Sequence, residues 1–234
     1  FKLAELASLT YATRVFPDRA TAEMSLYTKA IWFTAYPSRY TKEYIVPCRQ
    51  IYDCLEPAEN LWRIFLENGN PEVHPGPALL NAGRIDYAKG EFWHYVEGIT
   101  PRTVNIILGV QKERQMLGKA LGLEIESARD GRVRRGYFED TDQPLDILFN
   151  TSKVFSKIKG PASVDARYIT EDTTTGLVFY SDLGKVLRVP TPISDAIITL
   201  NGCLLQKDFY KEGLTLKTLG LDGLNRDELI DAVS

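Results

Sequence analysis

Apolar positions along this chain change their spacing after residue 55. TYATRVF (10–16) and EMSLYTKAIWFTAYP (23–37) are rich in β-branched and aromatic residues in partial alternation. Pro17-Asp18 and Pro37-Ser38 punctuate them, which predicts two or three strands. From residue 56 the spacing is helical. PAENLWRIFLENG (57–69) sets Leu61, Ile64 and Phe65 on one face and stops at Asn68-Gly69. Thr100-Pro101 caps and opens a long helix that directs Val104, Ile107, Leu108, Leu117 and Leu121 inward and ends near Leu121-Gly122. Another helix is expected after Asp142, with Pro144 in its first turn, running toward Lys157. Two more are expected over 176–188 and 191–208, and Asn225 caps a short last one through Val233. The expected fold class is mainly α, an all-helical domain over 56–234 preceded by a strand-bearing segment over 1–55.

Composition adds little to this outline and removes several function classes. At 234 residues, 44% hydrophobic and 25% charged, the chain has ample material for a globular core. A net charge of −3 gives no global attraction to nucleic acid or to a membrane surface, although local arginines can still hold small anions. No run of apolar residues is long enough to span a bilayer. Cys48, Cys54 and Cys203 are an odd set without CxxC spacing, so buried free thiols in a reducing cytoplasm are expected rather than disulfides or structural zinc. The opening FKLAELASL has no basic start or cleavage-like site and does not read as a signal peptide. It also lacks an initiator Met, so the expectation is part of a longer product. SARDGRVRRGY (127–137) reads as a polar connection with four arginines, either a solvated loop or an anion contact. No interleaved aromatics there support nucleic acid.

The chain has no GxGxxG, GxxxxGK, HExxH or GxSxG motif. With two histidines and no cysteine cluster it is poor in transition-metal ligands. Chemistry must then rest on carboxylates, arginines and histidine. In NPEVHPGPALLN, Pro75 predicts an extended backbone at His74, and Gly76-Pro77 starts a helix through Asn81. A rigidly held imidazole suits a general acid or base, and it equally suits a turn histidine that only hydrogen-bonds. His94, in GEFWHYVEG, reads as a packing or surface residue. In DARYITEDTTTGLV, Arg167 and Asp172 lie five apart. A guanidinium there can clamp a carboxylate, and an aspartate can orient an imidazole and raise its pKa. Alternatively, Glu171 and Asp172 begin a helix whose positive end they complement.

Taken in order, AELASLTYATR, the aromatic region ending in AYP, NPEVHPGPALLN, YVEGITPRTVNIILGVQKER, RYITEDTTTGLV, VPTPISDAIITL and TLKTLGL resemble the opine dehydrogenase family, the octopine/nopaline dehydrogenases. The resemblance covers nearly the whole chain, and HPxxxLLN and RYxTED are its most specific parts. It implies an enzyme using NAD or NADP, with an N-terminal Rossmann domain and a C-terminal helical domain. Such an enzyme joins the amine of an amino acid to a 2-oxo acid such as pyruvate and reduces the imine. Under this reading residues 1–55 are the C-terminal remnant of the Rossmann domain, and 56–234 form the helical substrate-binding and catalytic domain. The missing N-terminal portion would carry the dinucleotide fingerprint. His74 matches the family's catalytic histidine and Asp172 the acid paired with it. Arg167 matches an arginine near substrate carboxylate, Asn81 falls where substrate or cofactor is contacted, and Thr13 or Thr10, near Arg14, borders the pyruvate end. TEDTTTGL stands where a more apolar, proline-bearing stretch is expected, which bears on substrate preference. A homodimer is compatible with this reading. The competing readings are a non-catalytic helical dimerisation or interaction domain, and a related dehydrogenase acting on a 2-hydroxy or 2-oxo acid.

Overall fold

A computed structural model of the chain describes residues 3–234. The N-terminal segment holds β1 (Leu3–Leu6), β2 (Tyr11–Phe16), β3 (Thr21–Tyr27), β4 (Ile31–Tyr36), α1 (Thr41–Cys48) and β5 (Leu55–Pro57). β1 runs antiparallel to β4 and β5 parallel to it, giving a three-stranded sheet in the order β1-β4-β5. Ile31, Phe33, Ile45 and Leu55 fill the space between this sheet and α1. β2 and β3 stand apart as an antiparallel hairpin with an irregularity between Ala12 and Thr13 and with Arg14 opposite Glu23. The Pro17-Asp18 signal marks its turn, where Ala20 takes a left-handed φ of 49°. Helix α1 was not foreseen, because TKEYIVPC is too short for a helical period to emerge and carries Pro47 inside.

Beyond β5 the chain is helical. α2 (Leu61–Leu66) starts at Asn60, whose side chain accepts the Arg63 N–H at 3.2 Å. α3 (Asn70–Val73), α4 (Pro75–Leu80) and α5 (Ala82–Ala88) follow in quick succession. α6 (Pro101–Ala120) is the longest element and opens with a reciprocal Thr100–Thr103 capping box. It buries Val104, Ile107 and Leu117 as expected, but Leu108 is 42% exposed, since one residue past Ile107 turns about 100° away from the core. The arginine-rich stretch is not a solvated loop but α7 (Ala128–Arg135), capped by Ser127 and closed by Gly136 at φ 87°. α8 (Leu145–Thr151) is shorter than expected. Ser152 leaves the helix in extended geometry and its hydroxyl donates to the Tyr137 carbonyl at 2.8 Å. α9 (Arg167–Asp172) and α10 (Val178–Leu187) are joined by a π-helical turn over Thr173–Leu177. α11 (Pro192–Leu205), α12 (Phe209–Glu212) and α13 (Arg226–Asp231) complete the domain, and the Trp62 indole donates to the Leu229 carbonyl at 2.7 Å to hold α13.

The chain is thus mainly helical with a few strands at its N-terminal end, as expected. The largest core surrounds α6 and includes Leu66, Val110, Leu117, Ile169, Tyr180 and Leu183. All three cysteines are free; Cys54 is buried, Cys48 partly so, and Cys203 is exposed, so the expected burial does not extend to Cys203. No helix among the described residues is long and apolar enough to cross a membrane.

A buried ionic cluster ties α3, α6 and α7 together. The Glu72 side chain is fully buried, with Arg114 at 3.1 Å and Arg132 at 2.9 Å. Arg114 also donates to the Leu66 carbonyl at 2.5 Å and the Glu126 carbonyl at 2.8 Å. Arg63 reaches Glu67 at 2.9 Å, and burial raises the pKa of the Glu67 carboxyl against the opposing pull of Arg114. Replacing Glu72 leaves two buried guanidinium groups without their shared counter-charge. Glu72→Gln is therefore expected to cost about 3–5 kcal/mol, read from the midpoint of urea unfolding.

Candidate active site

His74 sits where α3 meets α4. Its N–H donates to the Asn70 carbonyl at 3.0 Å, and its carbonyl accepts the Ala78 N–H at 2.9 Å. The backbone there is helical (φ −101°, ψ −63°), not extended as the following proline predicts. Hydrogen bonds from both flanking helices outweigh the steric bias of Pro75, which occupies the first turn of α4 where no N–H is needed. The imidazole is therefore set by two short helices rather than by a turn.

The buried imidazole lies between two oxygens. Nδ1 is 2.8 Å from Asp172 Oδ2, and Nε2 is 2.8 Å from the Tyr95 hydroxyl. An ionised carboxylate only accepts, so Nδ1 carries the hydrogen and donates to Asp172, and Nε2 accepts from the Tyr95 O–H. Tyr168 stacks on the ring with centroids 3.9 Å apart and planes 10° apart. Asp172 ends α9, so Glu171 and Asp172 do not begin a helix there. The turn that follows Asp172 lies close against α3, because a β-carbon at Gly176 would overlap the Pro71 ring.

Tyr95 comes from a π-helical turn over His94–Gly98. Asn150 donates to the Tyr95 carbonyl at 2.6 Å, and the Thr103 hydroxyl donates to the Gly98 carbonyl at 2.9 Å. Burial lifts the Tyr95 phenol well above its ordinary pKa and raises Tyr168 as well, so both hydroxyls stay protonated at neutral pH. His94 is fully buried behind them. Its Nε2–H donates to the Val73 carbonyl at 2.9 Å, while Nδ1 has no partner. Burial, and next the neighbouring His74, push its pKa down to about 3, so it is a neutral packing residue.

A cavity of about 320 Å³ opens in front of this group, between the helical domain and the β2–β3 hairpin. His74, Tyr95 and Tyr168 border it, with Thr13 and Arg14 from the hairpin and Arg167 from α9. Arg167 is exposed and lies 3.8 Å from Glu171. The structure thus brings His74 and Asp172 into contact and places Arg167, Thr13 and Arg14 around the same space. It does not bring Asn81 there. The Asn81 amide donates to the Pro77 and Gly98 carbonyls at 2.8 and 3.2 Å, and so holds the turn that carries Tyr95. Thr10 is buried, and its carbonyl accepts the Thr28 N–H at 2.9 Å. Tyr95 and Tyr168 went unnoticed in the sequence, although one follows His94 and the other lies inside RYITED. A larger cavity of about 700 Å³ lies beyond Tyr137, between Lys29 and Lys153, and no histidine borders it.

Residues 57–205 match the family described as NAD/NADP octopine/nopaline dehydrogenase, alpha-helical domain. An opine dehydrogenase of Arthrobacter sp. (strain 1C) is 38% identical over 178 residues, covering 75% of this chain and 48% of that protein. A vitopine synthase of Allorhizobium ampelinum is 25% identical over 171 residues, covering 73% of this chain and 47% of its own length. The chain spans about half the length of the curated relatives it matches. Among solved structures, octopine dehydrogenase in complex with NADH and agmatine superposes with a TM-score of 0.68 at 14% identity, covering 98% of this chain and 64% of that one. Yersinopine dehydrogenase with NADP+ bound gives 0.65 at 14% identity, covering 99% and 64%. At such identities the likeness is one of fold.

The buried neutral His94 has a consequence for stability. Folded, it binds a proton only near pH 3, whereas its unfolded value is 6.5. Between these values the unfolded chain holds more protons, so stability is full above pH 6.5 and falls as pH drops, by about 1.4 kcal/mol per pH unit from this group. His94→Gln, which can still donate to the Val73 carbonyl, should remove one proton's worth of that slope in urea titrations between about pH 4 and 7.

Proposed function

We propose, from the fact that this chain belongs to the octopine/nopaline dehydrogenase family, that it supplies the catalytic helical part of an opine dehydrogenase. The reaction is condensation of an amino acid amine with a 2-oxo acid such as pyruvate, followed by reduction of the imine with NADH or NADPH. In this reading residues 1–55 complete the dinucleotide-binding side, and 56–234 bind and process the substrates. The observation that carries it is the Asp172–His74–Tyr95 line, which ends at a cavity flanked by Arg14 and Arg167.

The nicotinamide group supplies the hydride when bound. Among the described residues no glycine-rich turn leads from a strand into a helix, so this chain alone does not form the pyrophosphate cradle. What its own residues do is move protons and hold carboxylates. An amino acid must lose its ammonium proton before its nitrogen can attack the carbonyl carbon. That proton passes to the Tyr95 oxygen while the Tyr95 hydrogen moves to His74 Nε2, and Asp172 stabilises the resulting imidazolium. The neutral amine adds to the carbonyl carbon, and its N–H proton passes to the carbonyl oxygen to give the carbinolamine. The nitrogen lone pair then drives that oxygen out to leave the protonated imine. His74 returns its proton through Tyr95 to that leaving oxygen, which departs as water, and the relay is restored. Arg167 and Arg14 can each take a carboxylate, fixing the reacting carbon in one orientation. Tyr168, stacked on the imidazole, keeps the ring plane from turning and shields the His74–Asp172 contact from water.

In the full-length protein, His74→Gln is expected to lower kcat/KM for nicotinamide-nucleotide oxidation with pyruvate and a panel of amino acids by about 10²–10⁴-fold. Asp172→Asn should lower it as well, because the amide favours the wrong imidazole tautomer. Near-normal turnover by His74→Gln would remove the relay assignment. Reduction of the 2-oxo acid with no amine present would replace condensation by a simpler dehydrogenase reaction.

A further inference from the structure

A second compartment, of about 80 Å³, lies beside the His74 cavity and shares Asn70, Tyr137 and Phe155 with it. On one side is the Asn68–Asn70 turn that leads α2 into α3, and on the other are Arg132 and Arg135 at the end of α7. Gly69 leaves room for this arrangement, because a β-carbon there would come within 2.8 Å of Arg132 Nη2.

The two arginines differ in one respect. Arg132 is neutralised by Glu72 at 2.9 Å. Arg135 donates from Nε to the Gly131 carbonyl at 2.9 Å and rests its guanidinium 5.9 Å from the Tyr137 ring centroid. Neither of its Nη atoms has a hydrogen bond, and it pairs with no carboxylate among the described residues. Burial first, then Arg132, push its pKa down to about 10, which leaves it a cation at neutral pH. Arg134, by contrast, turns outward to Glu126 at 2.6 Å and Glu56 at 3.0 Å. Arg135 is half-buried with its guanidinium fork open to the compartment, and a planar carboxylate is the group to which such a fork donates best. The size agrees. At about 80 Å³ the compartment has room for a carboxylate and its adjoining carbon, with the rest of the molecule extending into the neighbouring cavity.

We propose that this compartment is a carboxylate subsite, in which Arg135 holds one carboxylate of a substrate whose reacting end lies in the His74 cavity. The proposal rests on the condensation reading above, in which each co-substrate brings a carboxylate. Arg14 and Arg167 across the cavity are then left to the other one. Arg135 is a specificity-determining residue in this scheme, acting on binding rather than on proton transfer.

The test needs no turnover. Full-length protein is titrated with acetate and, separately, with phosphate at constant ionic strength, reading the thermal unfolding midpoint. Wild type, Arg135→Gln, Arg135→Lys and Arg167→Gln are compared, with circular dichroism to check folding. Acetate should raise the midpoint of wild type and, through Arg135, still raise that of Arg167→Gln; the rise should shrink measurably in Arg135→Gln, and Arg135→Lys should fall between. Equal protection of wild type and Arg135→Gln overturns the subsite, as does loss in Arg167→Gln with retention in Arg135→Gln. Phosphate protecting through Arg135 as strongly as acetate makes the compartment a general anion site and overturns the substrate assignment. If Arg135→Gln does not fold, protection of Arg135→Lys equal to wild type is the overturning result. In steady-state kinetics, Arg135→Gln should raise KM at least tenfold for one co-substrate and less than twofold for the other. Absence of turnover by wild type on every amino acid and 2-oxo acid pair sinks the condensation reading alone and leaves the acetate result standing.

Discussion

Glu72 between Arg114 and Arg132 is the contact on which the site depends. Helix α3 has four residues and cannot persist on its own hydrogen bonds. Its position comes from a carboxylate buried within it and gripped by guanidinium groups from α6 and α7. His74 lies two residues further on. A buried ion pair of this kind adds little net stability over an apolar replacement, yet it tolerates almost no displacement, because moving either partner strands a charge. The cluster therefore fixes geometry more than it strengthens the fold, and the imidazole inherits that geometry.

The second layer of order is polar and aromatic. His74 and Asp172 are 98 residues apart in sequence and meet only because the π-helical turn after α9 is pressed against α3 through Gly176. Tyr95 completes the line from a third element, anchored by Asn150 and, through Gly98, by Asn81 and Thr103. Phe149 stacks on Tyr95 at 5.7 Å and Tyr168 on His74, so two of the three groups in the line are backed by a ring. Every hydrogen-bonding atom of the His74 imidazole is satisfied, which is the condition under which a buried polar network rigidifies rather than destabilises.

What was legible in the sequence was local. Thr100 and Asn225 cap helices by contacts within three residues, and both helices begin where those residues stand, whereas the Asn60 cap of α2 was not read from the sequence. Strands β2 and β3 follow from alternation bounded by Pro17-Asp18. The misreadings were non-local. The 127–137 stretch looked solvated because it is so polar, and it is Glu72, 60 residues away in sequence, that neutralises the buried Arg132 of α7. At His74 a sound local rule about proline lost to backbone bonds from two helices. The spacing of His74 and Asp172 left each with a bland alternative, and it was the family resemblance that coupled them. Tyr95 carried no sequence signal of its own, since its role comes from where its hydroxyl ends.

The stack of Tyr168 on His74 has a spectroscopic consequence. At 3.9 Å and nearly parallel, the phenol ring current falls squarely on the imidazole carbon protons and shifts them upfield. The other histidine, His94, lies 5.9 Å from the first, with Tyr95 and Tyr168 edge-on to it. The chain has no third histidine. Its entire imidazole proton spectrum is therefore a record of this one cluster, and a molecule entering the cavity would be seen there before it was seen anywhere else.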